Sequence, residues 1–193
     1  MRITRGEFKG RRIKPPEDIR PVSEMVRKAC FDILGREVEG RSVLDLFSGS
    51  GALGIEAISC GARQAVFVDS SQHSCSIIRQ NIADLGLKDL SQVIVGEAVM
   101  AISRFYCQRR KFDLVFLDPP YYQGLLRKAL QAFSEYDIVT NLGYLVGFCY
   151  CKDELFSAGL KGFSLVSDKK YGQTRLVVYR KEDEEPRHIS GNV

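Results

Sequence analysis

The chain predicts one α/β domain: a mostly parallel, seven-stranded sheet with helices on both faces and an antiparallel hairpin at its end. Three observations carry this. Short apolar runs alternate with helix-periodic segments from Ser42 to Cys151, the rhythm of βαβ crossovers. A glycine-rich turn follows the first run directly, where a strand must hand over to a helix. The last two runs are joined only by Tyr171-Gly172-Gln173, too short for a crossover and therefore antiparallel. With 193 residues, 45% of them hydrophobic, the chain can bury a full core with a small appendage.

Taken in order, Arg2 to Pro16 alternates imperfectly and ends in Pro15-Pro16, which reads as a short β-ribbon. Ser23 can cap a helix with Val26, Ala29, Cys30, Ile33 and Leu34 at helical spacing. The first strand is Ser42–Phe47, and the glycine turn leads into a helix through Ile58. Ala65–Asp69 is the second strand. A helix follows from a Ser70/Ser71 cap, with Cys75, Ile78, Ile82 and Leu85 on one face and Gly86 as its stop. Gln92–Val95, Phe112–Leu117 and Leu142–Cys151 are the next strands. Helices at about 97–107 and 123–134 separate them, and a short one at 153–158 precedes the hairpin strands at about 162–169 and 174–180. Residues 1–20 form a basic ribbon, 21–180 the main domain, and 181–193 lack apolar periodicity and read as a disordered tail.

The net charge of +4 is modest, but its placement is not: the first 20 residues hold seven basic and three acidic side chains. Arg2, Arg5, Lys9, Arg11 and Arg12 are candidates for gripping phosphates, and a solvated basic hairpin is the plain alternative. The longest apolar stretch, Tyr144–Cys151, is too short to cross a bilayer, and no apolar segment follows the N-terminus as in a secretory signal. A cytoplasmic protein is expected, with no membrane partner. The six cysteines include no C-x-x-C pair and there are two histidines, so no metal is expected and the thiols read as reduced and mostly buried.

Gly49-Ser-Gly-Ala-Leu-Gly54 matches G-x-G-x-x-G between a strand and a helix. Asp69, 20 residues after Gly49, ends the second strand where a carboxylate can accept from ribose hydroxyls. An adenosine-containing cofactor follows, and the pattern by itself serves NAD and S-adenosylmethionine alike. Asp45, just ahead of the loop, favours the second: a carboxylate there suits the ammonium of a methionine moiety and would repel a pyrophosphate. Glu97 could accept from an adenine amino group.

Asp118-Pro119-Pro120-Tyr121 closes the fourth strand at the edge where open α/β sheets bind ligands. The prolines stiffen the turn, Asp118 and the Pro119 carbonyl can accept from an exocyclic amine, and Tyr121 offers a face for a base. Such a turn suits methylation of an amino group on guanine or adenine.

With these residues in place, the sequence resembles the bacterial 16S ribosomal RNA guanine-N2 methyltransferases of the small subunit. Arg2-Ile-Thr-Arg-Gly6, Lys9-Gly-Arg-Arg12, Arg20-Pro21, Val26-Arg27, Phe47–Gly54 with Glu56-Ala57, Phe112–Tyr121, and Tyr171-Gly172 with Thr174 carry the resemblance from Arg2 to about Arg180. It implies a Rossmann-like methyltransferase sheet, S-adenosylmethionine as donor, and a guanine of 16S RNA, free or in the small subunit, as acceptor. The cofactor set it implies is Arg20, Ser23, Asp45, Phe47, Gly49, Gly51, Asp69, Glu97, Ala98 and Asp118. The catalytic set is Asp118, Pro119, Pro120 and Tyr121, in an enzyme expected to act as a monomer. Val22, Lys28 and Glu97 depart from the family pattern. The same site would serve an adenine-N6 or protein-glutamine methyltransferase. A nicotinamide dehydrogenase would leave the Asp118–Tyr121 turn unused, and a non-catalytic RNA-binding assembly factor would leave the whole site idle.

Overall fold

The computed structural model describes residues 1–16, 22–121, 124–153 and 160–183. Its centre is β1 (Ser42–Leu46), buried at every position as expected of a parallel strand covered on both faces. Around it lie β2 (Gln64–Asp69), β3 (Ser91–Val95), β4 (Phe112–Leu117), β5 (Val139–Tyr150), β6 (Phe163–Tyr171) and β7 (Thr174–Lys181), in the spatial order β3-β2-β1-β4-β5-β7-β6. The pairs among β1 to β5 are parallel, and β7 runs antiparallel between β5 and β6. From β1 the chain steps outward through β2 to β3, then returns to the other side of β1 with β4. That reversal opens a crevice at the carboxyl ends of β1 and β4.

Helices α1 (Glu24–Leu34), α2 (Ala52–Ser59) and α3 (Gln72–Leu85) pack on one face with Phe67, Phe116 and Phe148. Helices α4 (Ala98–Cys107) and α5 (Leu125–Glu135) cover the other with Phe105, Phe112 and Phe133. One side chain clasps three strands at the end opposite the crevice. Asp113 accepts from the Ser42 N–H (2.8 Å) and hydroxyl (2.7 Å) of β1 and from the Thr140 hydroxyl (2.9 Å) of β5.

Three expectations change. The ribbon at 2–16 has a single antiparallel bridge, Arg2 with Arg12, rather than a ladder, because turns fill residues 5–10. Ile3 and Ile13 drop into the core, and Gly6 (φ +73°) lies so close to Ser59 that a Cβ would sit 1.7 Å from its carbonyl oxygen. The buried face of α1 is rotated from the expected one: Arg27 and Phe31 are buried, while Ala29 and Ile33 are half-buried. Strand β5 begins three residues early, at Val139, and Leu142 (φ +60°) takes up a register shift against β4. Of the thiols, Cys30, Cys75 and Cys149 are buried, Cys60 and Cys151 half-buried and Cys107 exposed, all unpaired. Residues 154–158 of the expected short helix and the tail beyond 183 lie outside the described residues, and Lys181, expected in the tail, is instead the last residue of β7. Among the described residues, no helix is long and apolar enough to cross a membrane.

Gly54 is where α2 touches the sheet. A Cβ there would lie 2.3 Å from the Phe67 ring, which is itself fully buried. Gly54→Ala should therefore lower stability by about 1–3 kcal/mol in a denaturant titration, a strain that a repacked core cannot easily relieve.

Candidate active site

The loop after β1 is held open by hydrogen bonds from its own neighbours. The Ser48 hydroxyl donates to the Asp45 carbonyl (2.5 Å), and the Ser48 N–H donates to the Val68 carbonyl (3.1 Å). Asp69 Oδ2 accepts from the Gly49 N–H (2.8 Å) and its Oδ1 from the Ser71 N–H (2.9 Å), so the second-strand carboxylate braces the glycine loop and the start of α3. Phe47, a non-glycine residue at φ +62°, sits in this loop, and Gly51 (φ +77°) is the residue from which α2 begins. Strain at Phe47 is confined to the crevice, where a rigid frame can hold it.

Asp45 lies at the base of the loop. Its Oδ2 accepts from the Gly54 N–H (2.9 Å), but its buried Oδ1 has no hydrogen-bond partner. Burial holds this carboxyl well above the usual carboxylate range. The Gly54 N–H opposes that, and the negative charges of Asp118 and Asp69 reinforce it. An unmet carboxyl oxygen, within electrostatic reach of two further carboxyls, is a place for a cationic donor. The ammonium of a methionine moiety has that charge and hydrogen-bonding capacity, so the residues present fit the expected cofactor.

On the other side of the seam, the Asp118 N–H donates weakly to the Leu46 carbonyl (3.5 Å), and the carboxyl is pushed up to about 7 by desolvation. Pro119 is buried and Pro120 exposed. The Tyr121 hydroxyl is hydrogen-bonded to that of Thr174 at 2.8 Å, and its ring lies 6.3 Å from that of Tyr150. Beside this turn is a cavity of about 330 Å³ walled by Pro119, Pro120, Tyr121, Leu126, Phe148 and Asp153, among others. The glycine loop and this cavity thus flank β4's end from opposite sides.

The remaining expected residues are more dispersed. Ser23 caps α1, accepting from the Val26 N–H at 3.3 Å. Glu97 is exposed as the residue preceding α4, and Ala98 is buried as its first residue. Arg20 lies outside the described residues. In the N-terminal segment, Arg5 is paired with Asp32, Arg2 donates to the Gly10 carbonyl (2.9 Å) and Arg11 to that of Asp84 (3.2 Å). Lys9 and Arg12 are exposed. His73 is exposed on α3.

Two connections between this segment and the crevice were not read from the sequence. Buried Arg27 donates to Glu56 (2.7 Å) and to the Arg2 carbonyl, while the Thr4 N–H (2.8 Å) and hydroxyl (2.5 Å) donate to Glu56. Buried Asn81 accepts from the Lys14 N–H (2.8 Å) and donates to the carbonyls of Lys14 (2.9 Å) and, in the glycine loop, Ser50 (3.0 Å). A sequence signal existed for the first: two opposite charges standing on otherwise apolar helix faces.

A reversed final strand among the described residues on this sheet order, with the glycine loop and the carboxyl turn at its switch point, defines the class: the fold is a Rossmann-like methyltransferase fold. The solved structure of yhhF from Escherichia coli, described as a "Putative methyltransferase", superposes with a TM-score of 0.80 at 26% identity, covering 94% of this chain and 98% of that one. The "Putative rRNA methyltransferase YlbH" of Bacillus subtilis (strain 168) is 31% identical over 183 residues, 94% of this chain and 99% of its own length. Ribosomal RNA small subunit methyltransferase D of Escherichia coli (strain K12) is 27% identical over 190 residues, 94% of this chain and 90% of its own. Residues 1–180 match the family described as Conserved hypothetical protein 95, and the chain belongs to it.

The raised Asp118 carboxyl has a consequence for stability. A carboxyl whose folded value lies near 7 favours folding when protonated, and that contribution is lost as pH rises from the ordinary carboxylate range through about 7. Without ligand, Asp118→Asn should be more stable than the parent at pH 8, by at most about 4 kcal/mol and by less where water screens this half-buried group, and the difference should vanish near pH 4. Urea titrations of both proteins across that range check it.

Proposed function

We propose that the protein transfers a methyl group from S-adenosylmethionine to the exocyclic N2 amine of a guanine in 16S ribosomal RNA. The observation that carries the reading is the buried, unmet Oδ1 of Asp45 at the β1/β4 seam, beside the Asp118–Tyr121 turn. The small-subunit rRNA methyltransferase among the relatives supports the substrate class.

When bound, S-adenosylmethionine supplies an electrophilic sulfonium methyl. Asp45 would hold its ammonium, and Asp69, already fixed by Gly49 and Ser71, has lone pairs left for ribose hydroxyls. Phe47, Gly49 and Gly51 shape the loop wall, with Glu97 and Ala98 at the adenine end, and Ser23 belongs to the cover. Asp118 and the Pro119 carbonyl accept the two amine N–H bonds, which shifts electron density to nitrogen and aims its lone pair. A carboxyl raised to about 7 is a better proton acceptor than a solvated one, so Asp118 can also receive the proton the amine sheds. Pro120 keeps the turn stiff, and Tyr121 stacks the base. Arg2, Arg5, Lys9, Arg11 and Arg12 engage phosphates.

The deciding experiment is transfer of labelled methyl from S-adenosylmethionine to unmodified small subunits, followed by nucleoside analysis. Labelled N2-methylguanosine is expected, and label in N6-methyladenosine would overturn the acceptor. Asp118→Ala should cut the rate at least ~100-fold at saturating cofactor, whereas Asp69→Ala should weaken cofactor affinity. Replacing Arg11 and Arg12 together by alanine should reduce the slope of RNA affinity against salt by about 2 on a log–log plot.

A further inference from the structure

Tyr121 is held at both ends. Its backbone follows two prolines, which leave the main chain little freedom. Its hydroxyl, at the far end of the ring, meets the Thr174 hydroxyl at 2.8 Å. Thr174 is the first residue of β7, 53 positions further along the chain, and it pairs in the sheet with Tyr150, whose ring is 6.3 Å from that of Tyr121 at 46°. A strand on the far side of β5 therefore reaches back to fix the tilt of a ring on the β4 turn.

The ring so fixed is a wall of the 330 Å³ cavity lined also by Pro119 and Pro120, the two residues that follow Asp118. A flat base laid against it takes its plane from the ring, and that plane sets the direction of the amine lone pair. Group transfer tolerates only small errors in such an angle. From this we infer that Thr174 is a positioning residue for methyl transfer, acting through Tyr121 to orient the acceptor base. The inference rests on the methyltransferase reading above and adds a residue to it that touches neither substrate nor cofactor.

The test compares Thr174→Val, Thr174→Ser and Tyr121→Phe in the full chain, with small subunits as acceptor. Valine keeps the β-branched shape that suits a strand and removes only the hydroxyl. The expected result is a fall of about tenfold in kcat for Thr174→Val, with cofactor affinity and thermal midpoint unchanged and activity restored in Thr174→Ser. Tyr121→Phe should lose the same factor, and the Tyr121→Phe/Thr174→Val pair should be no worse than either alone, as for two ends of one bond. An unchanged kcat in Thr174→Val overturns the inference, as does a loss that serine fails to restore or one accompanied by a lower midpoint and weaker cofactor binding. The unsubstituted protein, run alongside, separates the two levels. If it transfers methyl while Thr174→Val is not impaired, only the positioning role falls; if it transfers none, the methyl-transfer reading falls and takes this inference with it.

Discussion

Arg27 and Glu56 meet in the interior with each side chain about 1% exposed. Two charges can be held out of water only if they face each other and their remaining hydrogen-bonding capacity is met. Here the N-terminal segment meets it, through the main chain and hydroxyl of Thr4 and the carbonyl of Arg2. One ion pair thereby joins three pieces of chain: the basic segment, α1, and the helix that rises from the glycine loop. Losing either partner would strand the other charge, at a cost of about 3–5 kcal/mol. Asn81 makes a second tie, from Lys14 to the Ser50 carbonyl. The proposed RNA-gripping segment is thus built onto the frame of the cofactor loop rather than hung beside it.

That frame explains how the crevice can keep features that cost stability. Carboxyls end up near one another at the ends of β1, β2 and β4, one of them with an unmet buried oxygen. Phe47 occupies a backbone region that ordinary side chains avoid. Neither would persist in a loose loop. Ser48, Asp69 and Gly54 pin the backbone from three directions, and the Asp113 clasp at the far end of the strands keeps β1, β4 and β5 in register.

Much of this was legible in the sequence, for definite reasons. Fully buried strands such as Ser42–Leu46 read as short, mostly apolar runs, and caps such as Ser23, Ser71 and Gly86 announce the ends of helices. Asp45, Asp69 and Asp118 were placed in one crevice because parallel strands bring their carboxyl ends to one edge. What escaped was tertiary. Residues 2–16 alternate enough to suggest a ribbon, yet Ile3 and Ile13 gain more from the core than from a ladder. The expected face of α1 holds Val26, Cys30 and Leu34 but not Arg27, whose burial depends on a partner 29 residues away. Likewise, no local pattern pairs Tyr121 with Thr174.

The placement of β7 has a consequence for how the chain is made. Among the described residues it is the last strand in sequence, yet it lies between β5 and β6. Until residues 174–181 emerge, β5 has an open edge along its most apolar stretch, Tyr144 to Cys149, and β6 has no neighbour at all. An open, apolar strand edge is a template for pairing with another chain. During synthesis the half-finished sheet is therefore exposed to aggregation for as long as the ribosome takes to reach Lys181. A chain stopped short of that point keeps the whole glycine loop and the Asp118 turn, and lacks the strand that closes the sheet around them.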